Sequence, residues 1–123
     1  MFWNKPKEKE VEVEWFQLTS SDQLNEIIEE SAEKPVLIFK HSTSCSISSM
    51  AMDRLVRGWE DEYSSKLKAY YLDLLAFRDT SNAVADRFNV YHQSPQVLLI
   101  KNGIAIYDAS HMAISFDAIK KEL

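Results

Sequence analysis

The sequence predicts an α/β fold, a central mixed β-sheet flanked by helices on both faces. Three observations carry the prediction. Short apolar runs alternate along the chain with stretches of helical period. One run, Val36-Leu37-Ile38-Phe39, is apolar without interruption, as in a strand covered on both faces. Two late apolar runs are joined by Asn102-Gly103, a strong hairpin signal because both residues tolerate positive φ. Alternation of this kind makes the early strands parallel through helical crossovers and the last pair antiparallel.

Taken in order, residues 11–16 alternate Val11, Val13 and Trp15 with Glu12 and Glu14, which predicts a strand exposed on one face. Ser20 stands three before Gln23, a capping-box spacing; Leu24, Ile27 and Ile28 follow, so a first helix is expected to about Ser31. Lys34-Pro35 ends it and opens the buried strand. After His41-Ser42-Thr43-Ser44-Cys45 a second helix is expected, its inner stripe formed by Ile47, Ala51, Leu55 and Trp59 and widened by Met52 and Val56. Glu60, Asp61 and Glu62 oppose the dipole at its end, which predicts a loose or solvated C-terminus. Residues 67–72 read as a second buried strand, and Thr80 or Ser81 as the cap of a third helix with Val84 and Phe88 inward. The hairpin strands occupy residues 97–100 and 104–107. Ser115 caps a closing helix that turns Phe116 and Ile119 inward. This β-α-β-α-β-α-β-β-α order is that of thioredoxin-like folds, in which chemistry gathers where the first buried strand hands over to its helix.

With 123 residues the chain has the size of one domain, read as a charged tail over residues 1–10 and a single domain over 11–123. The tail carries Phe2 and Trp3, able to pack on the domain or on a partner. Apolar residues make up 46% and charged residues 27%, the profile of a soluble globular protein. The net charge of −5 argues against nucleic-acid binding, which needs clustered Lys and Arg. No apolar run approaches the roughly 18–20 residues of a membrane span, and the first residues lack the apolar core of a secretory signal. The cytoplasm is the expected compartment, and nothing in the sequence specifies an oligomeric state. One cysteine cannot close an internal disulfide, and with only His41, His92 and His111 beside it no zinc spacing is recognisable.

That cysteine, Cys45, falls at or just inside the start of the second helix. Unpaired amides there, Ile47 and Ser48 especially, favour negative charge. Such positions lower thiol pKa values from about 8.5 toward 7 or below. Its surroundings (Ser42, Thr43, Ser44, Ser46, Ser48, Ser49) are polar, unlike those of a cysteine packed as a small hydrophobe. Ser48 stands where a CxxC dithiol has its resolving cysteine, so a mixed disulfide on Cys45 needs an outside thiol to release it. Ser48 is placed either to hydrogen-bond the thiolate or to satisfy a helix-terminal group. Ser94-Pro95 opens the hairpin, and a cis bond there is expected to turn the Ser94 backbone toward an extended substrate. His41 is expected to be structural and His92 to support the proline turn.

The stretch Ile38-Phe39-Lys40-His41-Ser42-Thr43-Ser44-Cys45-Ser46-Ile47-Ser48 resembles the F-K-H-S-T-x-C-P-I-S signature of monothiol bacilliredoxins. His92-Gln93-Ser94-Pro95-Gln96 and Ser110-His111 are similar to that family's further landmarks, in the same order, and the resemblance spans the chain from about Leu18. It departs at Ser46, where the signature has a proline that stiffens the first helical turn. The resemblance implies a thioredoxin-like fold and no bound cofactor. It implies bacillithiol as thiol co-substrate and S-bacillithiolated proteins as partners, with Cys45 attacking the protein–bacillithiol disulfide. Thr43, Ser44, Ser48, Ser94, Pro95 and His111 complete the expected substrate-binding set. His111 would bind the malyl part of bacillithiol or polarise the thiol, unless it is a plain surface residue. The alternative is a non-catalytic thioredoxin-like binding module. A peroxidase fits poorly, because Thr43 stands two residues before Cys45 where peroxiredoxins place theirs three before.

Overall fold

The computed structural model describes residues 12–123. The expected charged tail, with Phe2 and Trp3, and Val11 of the expected first strand lie outside the described residues. The elements are β1 (Trp15–Gln17), α1 (Gln23–Glu30), β2 (Val36–His41), α2 (Ser46–Gly58), β3 (Lys68–Asp73), α3 (Arg78–Phe88), β4 (Gln96–Lys101), β5 (Ile104–Ser110) and α4 (Phe116–Lys120). Short 3-10 turns sit at Asp61–Tyr63 and His111–Ala113. The strands form one sheet in the order β1-β3-β2-β4-β5. β3 pairs in parallel with β1 and β2, whereas β4 pairs antiparallel with β2 and β5.

β2 is central and buried at every position, as its apolar run requires. Alternation divides its side chains between two cores. Leu37 and Phe39 pack with Ala51, Leu55, Trp59, Phe116 and Ile119 on the α2 and α4 face. Val36 and Ile38 pack with Leu24, Ile27, Val84 and Phe88 on the α1 and α3 face. The hairpin turn has positive φ at Asn102 (50°) and Gly103 (79°), as the dipeptide predicts. Their amides donate to Ser31 O at 2.9 Å and Ser31 Oγ at 2.8 Å, tying the hairpin tip to the end of α1. Ser115 Oγ caps α4 by accepting from the Ala118 amide at 3.2 Å.

Several local expectations are corrected. β1 is shorter and later than residues 11–16, because only Trp15 to Gln17 reach β3 at this edge of the sheet. Ser20 forms one half of the capping box: its amide and that of Thr19 donate to Gln23 Oε1 at 3.1 and 2.7 Å, while Asp22 takes the N-cap position. Thr80 and Ser81 do not cap α3; the helix starts earlier, at Arg78, and both hydroxyl residues are buried within it. Of the loose or solvated end expected for α2, the solvated part holds, since Arg57, Gly58 and Glu62 are exposed, but the acidic run is not loose. The helix ends at Gly58, Trp59 turns into the core, and Glu60 accepts from Lys120 Nζ at 2.8 Å.

Candidate active site

β2 ends at His41, and the chain reverses through a turn closed by the Cys45 amide, which donates to Ser42 O at 3.1 Å. Cys45 is the N-cap of α2, extended at φ −107° and ψ 121°, and its carbonyl accepts from Ser49 N at 3.1 Å. Its side chain makes no capping hydrogen bond and is partly exposed. The first amides of a helix lack i−4 carbonyl partners, so the thiol stands in the positive field of the helix terminus. Thr43 and Ser44 are exposed on the turn, and Ser46 is exposed at the first helical position.

The inner face of α2 begins with Ser48, fully buried, and not with Ile47, which is 51% exposed. Period 3.6 rather than 4 sets this face: counted back from Leu55 and Ala51, the position that meets the sheet is 48. The Ser48 hydroxyl accepts from the Ser42 amide at 3.0 Å and lies 2.7 Å from His41 Nδ1. Ser48 is therefore removed from the expected substrate-binding set: buried and engaged below the turn, it fixes the loop that carries Cys45. His41, expected to be structural, is its partner. Burial holds the His41 pKa below its ordinary value, with the Asp73 charge opposing part of the shift.

The opposite wall is the start of β4. Ser94-Pro95 is cis, as expected. Ser94 is partly exposed, and Pro95 O accepts from the His111 amide at 3.1 Å. His111 is exposed at a left-handed φ of 53°, uncommon for a residue with a Cβ. Both its backbone groups are engaged, since its carbonyl accepts from Arg54 Nη2 of α2 at 3.2 Å. Arg54 Nε also donates to Ile114 O at 3.0 Å, so one α2 side chain spans the turn that carries His111. The structure thus gathers the Cys45 turn, Ser94, Pro95 and His111 at one end of the sheet.

Sequence reasoning passed over Arg54 and Lys40. Lys40 follows the apolar run of β2 and is fully buried, with Nζ 3.3 Å from His92 Nδ1. Burial pushes its pKa down to about 8. His92 is held below its ordinary value by burial and by the charges of Lys40 and Arg78. A charged lysine only donates, so Nδ1 is the acceptor and the neutral ring carries its proton on Nε2. A polar pair closing an apolar strand was the one signal available.

A separate groove of about 440 Å³ opens where Lys68 begins β3, at the far end of the strands from Cys45, lined by Phe16, Glu30, Trp59, Leu67 and Lys68 among others. The chemistry-bearing residues are not part of its lining.

A solved structure described as a candidate oxidoreductase with a thioredoxin fold superposes with a TM-score of 0.73 at 33% identity, covering 86% of this chain and 90% of that one. The Malassezia sympodialis thioredoxin superposes at 0.70 with 16% identity, covering 96% of this chain and 95% of the other. The Fasciola hepatica thioredoxin gives 0.64 with 14% identity over 86% and 93%. These neighbours establish the thioredoxin fold. Residues 16–119 match the family model described as monothiol bacilliredoxin BrxC, and with that match over most of its length the chain belongs to the monothiol bacilliredoxin family.

Proposed function

We propose that this protein is a monothiol thiol–disulfide exchange enzyme that removes bacillithiol from S-bacillithiolated protein cysteines, working in a reducing cytoplasm. The observation that carries the proposal is Cys45: the chain's one cysteine, partly exposed at a helix N-cap. Family membership supports thiol redox chemistry in general terms.

In the first step the Cys45 thiolate attacks the bacillithiol sulfur of the mixed disulfide. The protein–bacillithiol S–S bond breaks, a Cys45–bacillithiol S–S bond forms, and the target protein leaves as a thiolate. In the second step an external thiol, after losing its proton, attacks the adduct. Cys45 leaves as a thiolate and the new disulfide carries the bacillithiol away, with no net change in electrons on Cys45. Cys45 is thus the attacking group in the first step and the leaving group in the second. Thr43, Ser44, Ser94, Pro95 and His111 form the surface on which substrate is held. Bacillithiol is a co-substrate in this scheme and not a resident cofactor.

Purified protein mixed with a bacillithiolated test protein is expected to gain one bacillithiol mass on Cys45, and Cys45→Ala none. Absence of an adduct by intact-mass spectrometry, where another bacilliredoxin reacts, sinks the enzyme assignment in favour of a binding module.

A further inference from the structure

The buried Lys40 is not needed for the exchange chemistry as written above. It is also a costly residue to keep in a sheet interior, because its charge is desolvated and, among the described residues, it meets a neutral ring and no carboxylate. Its placement suggests a use. Lys40 and Gln96 are register partners in the adjacent strands β2 and β4, and they share the face that carries Ile38 and Leu98. Both reach toward the segment of residues 91–95. Lys40 Nζ meets His92 Nδ1, and Gln96 Nε2 donates to Tyr91 O at 2.9 Å. On its other side the segment is held by the His111 amide on Pro95 O. Residues 91–95, which include Ser94, are thus pinned from within the sheet at two points, at the end of the sheet where the Cys45 turn lies.

We propose that Lys40 is a positioning residue: through His92 it clamps residues 91–95 so that the Ser94 backbone is set to pair with an extended polypeptide substrate beside Cys45. The inference rests on the thiol-exchange function proposed above. It makes the enzyme's discrimination between a protein disulfide and a small disulfide depend on a residue that touches neither. A charge-assisted hydrogen bond is the stronger kind, and lysine supplies it where an apolar residue of similar length would only pack.

The test compares wild type, Lys40→Met, His92→Leu and His92→Gln on two substrates: a peptide carrying a mixed disulfide with a small thiol, and a small aromatic disulfide. Glutamine keeps an acceptor for Lys40, so His92→Gln serves as the conservative rescue. Lys40→Met and His92→Leu are expected to raise KM for the peptide by about tenfold, the scale of one charge-assisted hydrogen bond. Their kcat and their rate with the small disulfide stay within about twofold of wild type, a change too small to represent a lost hydrogen bond. An unchanged peptide KM, or an equal loss on both substrates, overturns the clamp. Amide hydrogen exchange reads the clamp without activity. In Lys40→Met the amides of residues 91–94 should exchange faster while those of β4 stay protected; equal protection in both proteins also overturns it. Wild type inert toward both disulfides refutes the exchange function itself, a result distinct from either failure of the clamp.

Discussion

Lys40 and His41 are neighbours in β2 that alternation sends to opposite faces of the sheet. His41 faces α2 and meets the Ser48 hydroxyl, which also takes the Ser42 amide beneath the Cys45 turn. Lys40 faces α3 and meets His92, next to the segment that leads into Ser94 and Pro95. One strand end therefore supports both walls of the site, one from each side. The two supports differ in energetics. The His41 side joins neutral groups whose hydrogen bonds are mutually satisfied, and it stabilises the fold. The Lys40 side buries a charge with a single neutral acceptor, and it costs the fold stability. Stability and positioning coincide on one face and oppose each other on the other.

The largest effect expected from breaking this pattern is at Ser48. Ser48→Ala leaves the Ser42 amide and His41 Nδ1 without their partner in a buried setting, a loss of roughly 2–6 kcal/mol at ~1–3 kcal/mol for each of the two orphaned groups. Denaturant unfolding measures the loss. Because the affected turn carries Cys45 itself, exchange should slow with every disulfide substrate, large or small. A variant as stable as wild type would show that the Ser48 bonds contribute little and that the two faces do not differ as argued.

Lys40→Met should move stability the other way. Wild-type Lys40 has its pKa pushed down to about 8 from 10.5 by burial. Between those values the unfolded chain holds a proton on this residue that the folded chain does not. Wild-type stability should therefore rise with pH through this window, by about 2 kcal/mol from pH 8 to pH 10 for the Lys40 contribution. Lys40→Met should lack that rise and be the more stable protein at pH 7. Parallel pH–stability curves for the two proteins would remove the energetic contrast between the faces.

The legible parts of the molecule were those where one physical rule dominates. The uninterrupted run at Val36-Leu37-Ile38-Phe39 could only be a strand covered on both faces, and Asn102-Gly103 between apolar runs could only be a tight turn. Cys45 was legible for the same reason, as a lone thiol among hydroxyls at a strand-to-helix junction. Ile47 and Ser48 were misread because a four-residue repeat drifts from the true helical period within a few turns, and near the N-terminus that drift exchanges the buried and exposed positions. Lys40 was missed because charge normally marks a strand end as solvated, and only the register with Gln96 places it under the segment that leads into Ser94 and Pro95. The roles of His41 and Ser48 depend on a contact between residues seven apart in two different elements, and no periodicity announces such a contact.

The smallest expected effect lies on the acid side, where the two faces should behave alike. His41 has its pKa lowered by burial, opposed by the Asp73 charge, and His92 has its own lowered by burial and by the Lys40 and Arg78 charges. In both cases the folded state refuses a proton that the unfolded chain accepts near the ordinary histidine value of about 6.5. Their contribution to stability is therefore complete above that value and is lost as pH falls through it toward the folded values. From pH 7 to pH 5.5 the melting temperature should drop, a range in which most carboxylates have not yet titrated. His41→Gln and His92→Gln should each remove part of that drop, because glutamine keeps a hydrogen-bonding group but cannot take up the proton. If only one of them does, the two walls of the site respond differently to acid, and the symmetry of their support from β2 ends at neutral pH.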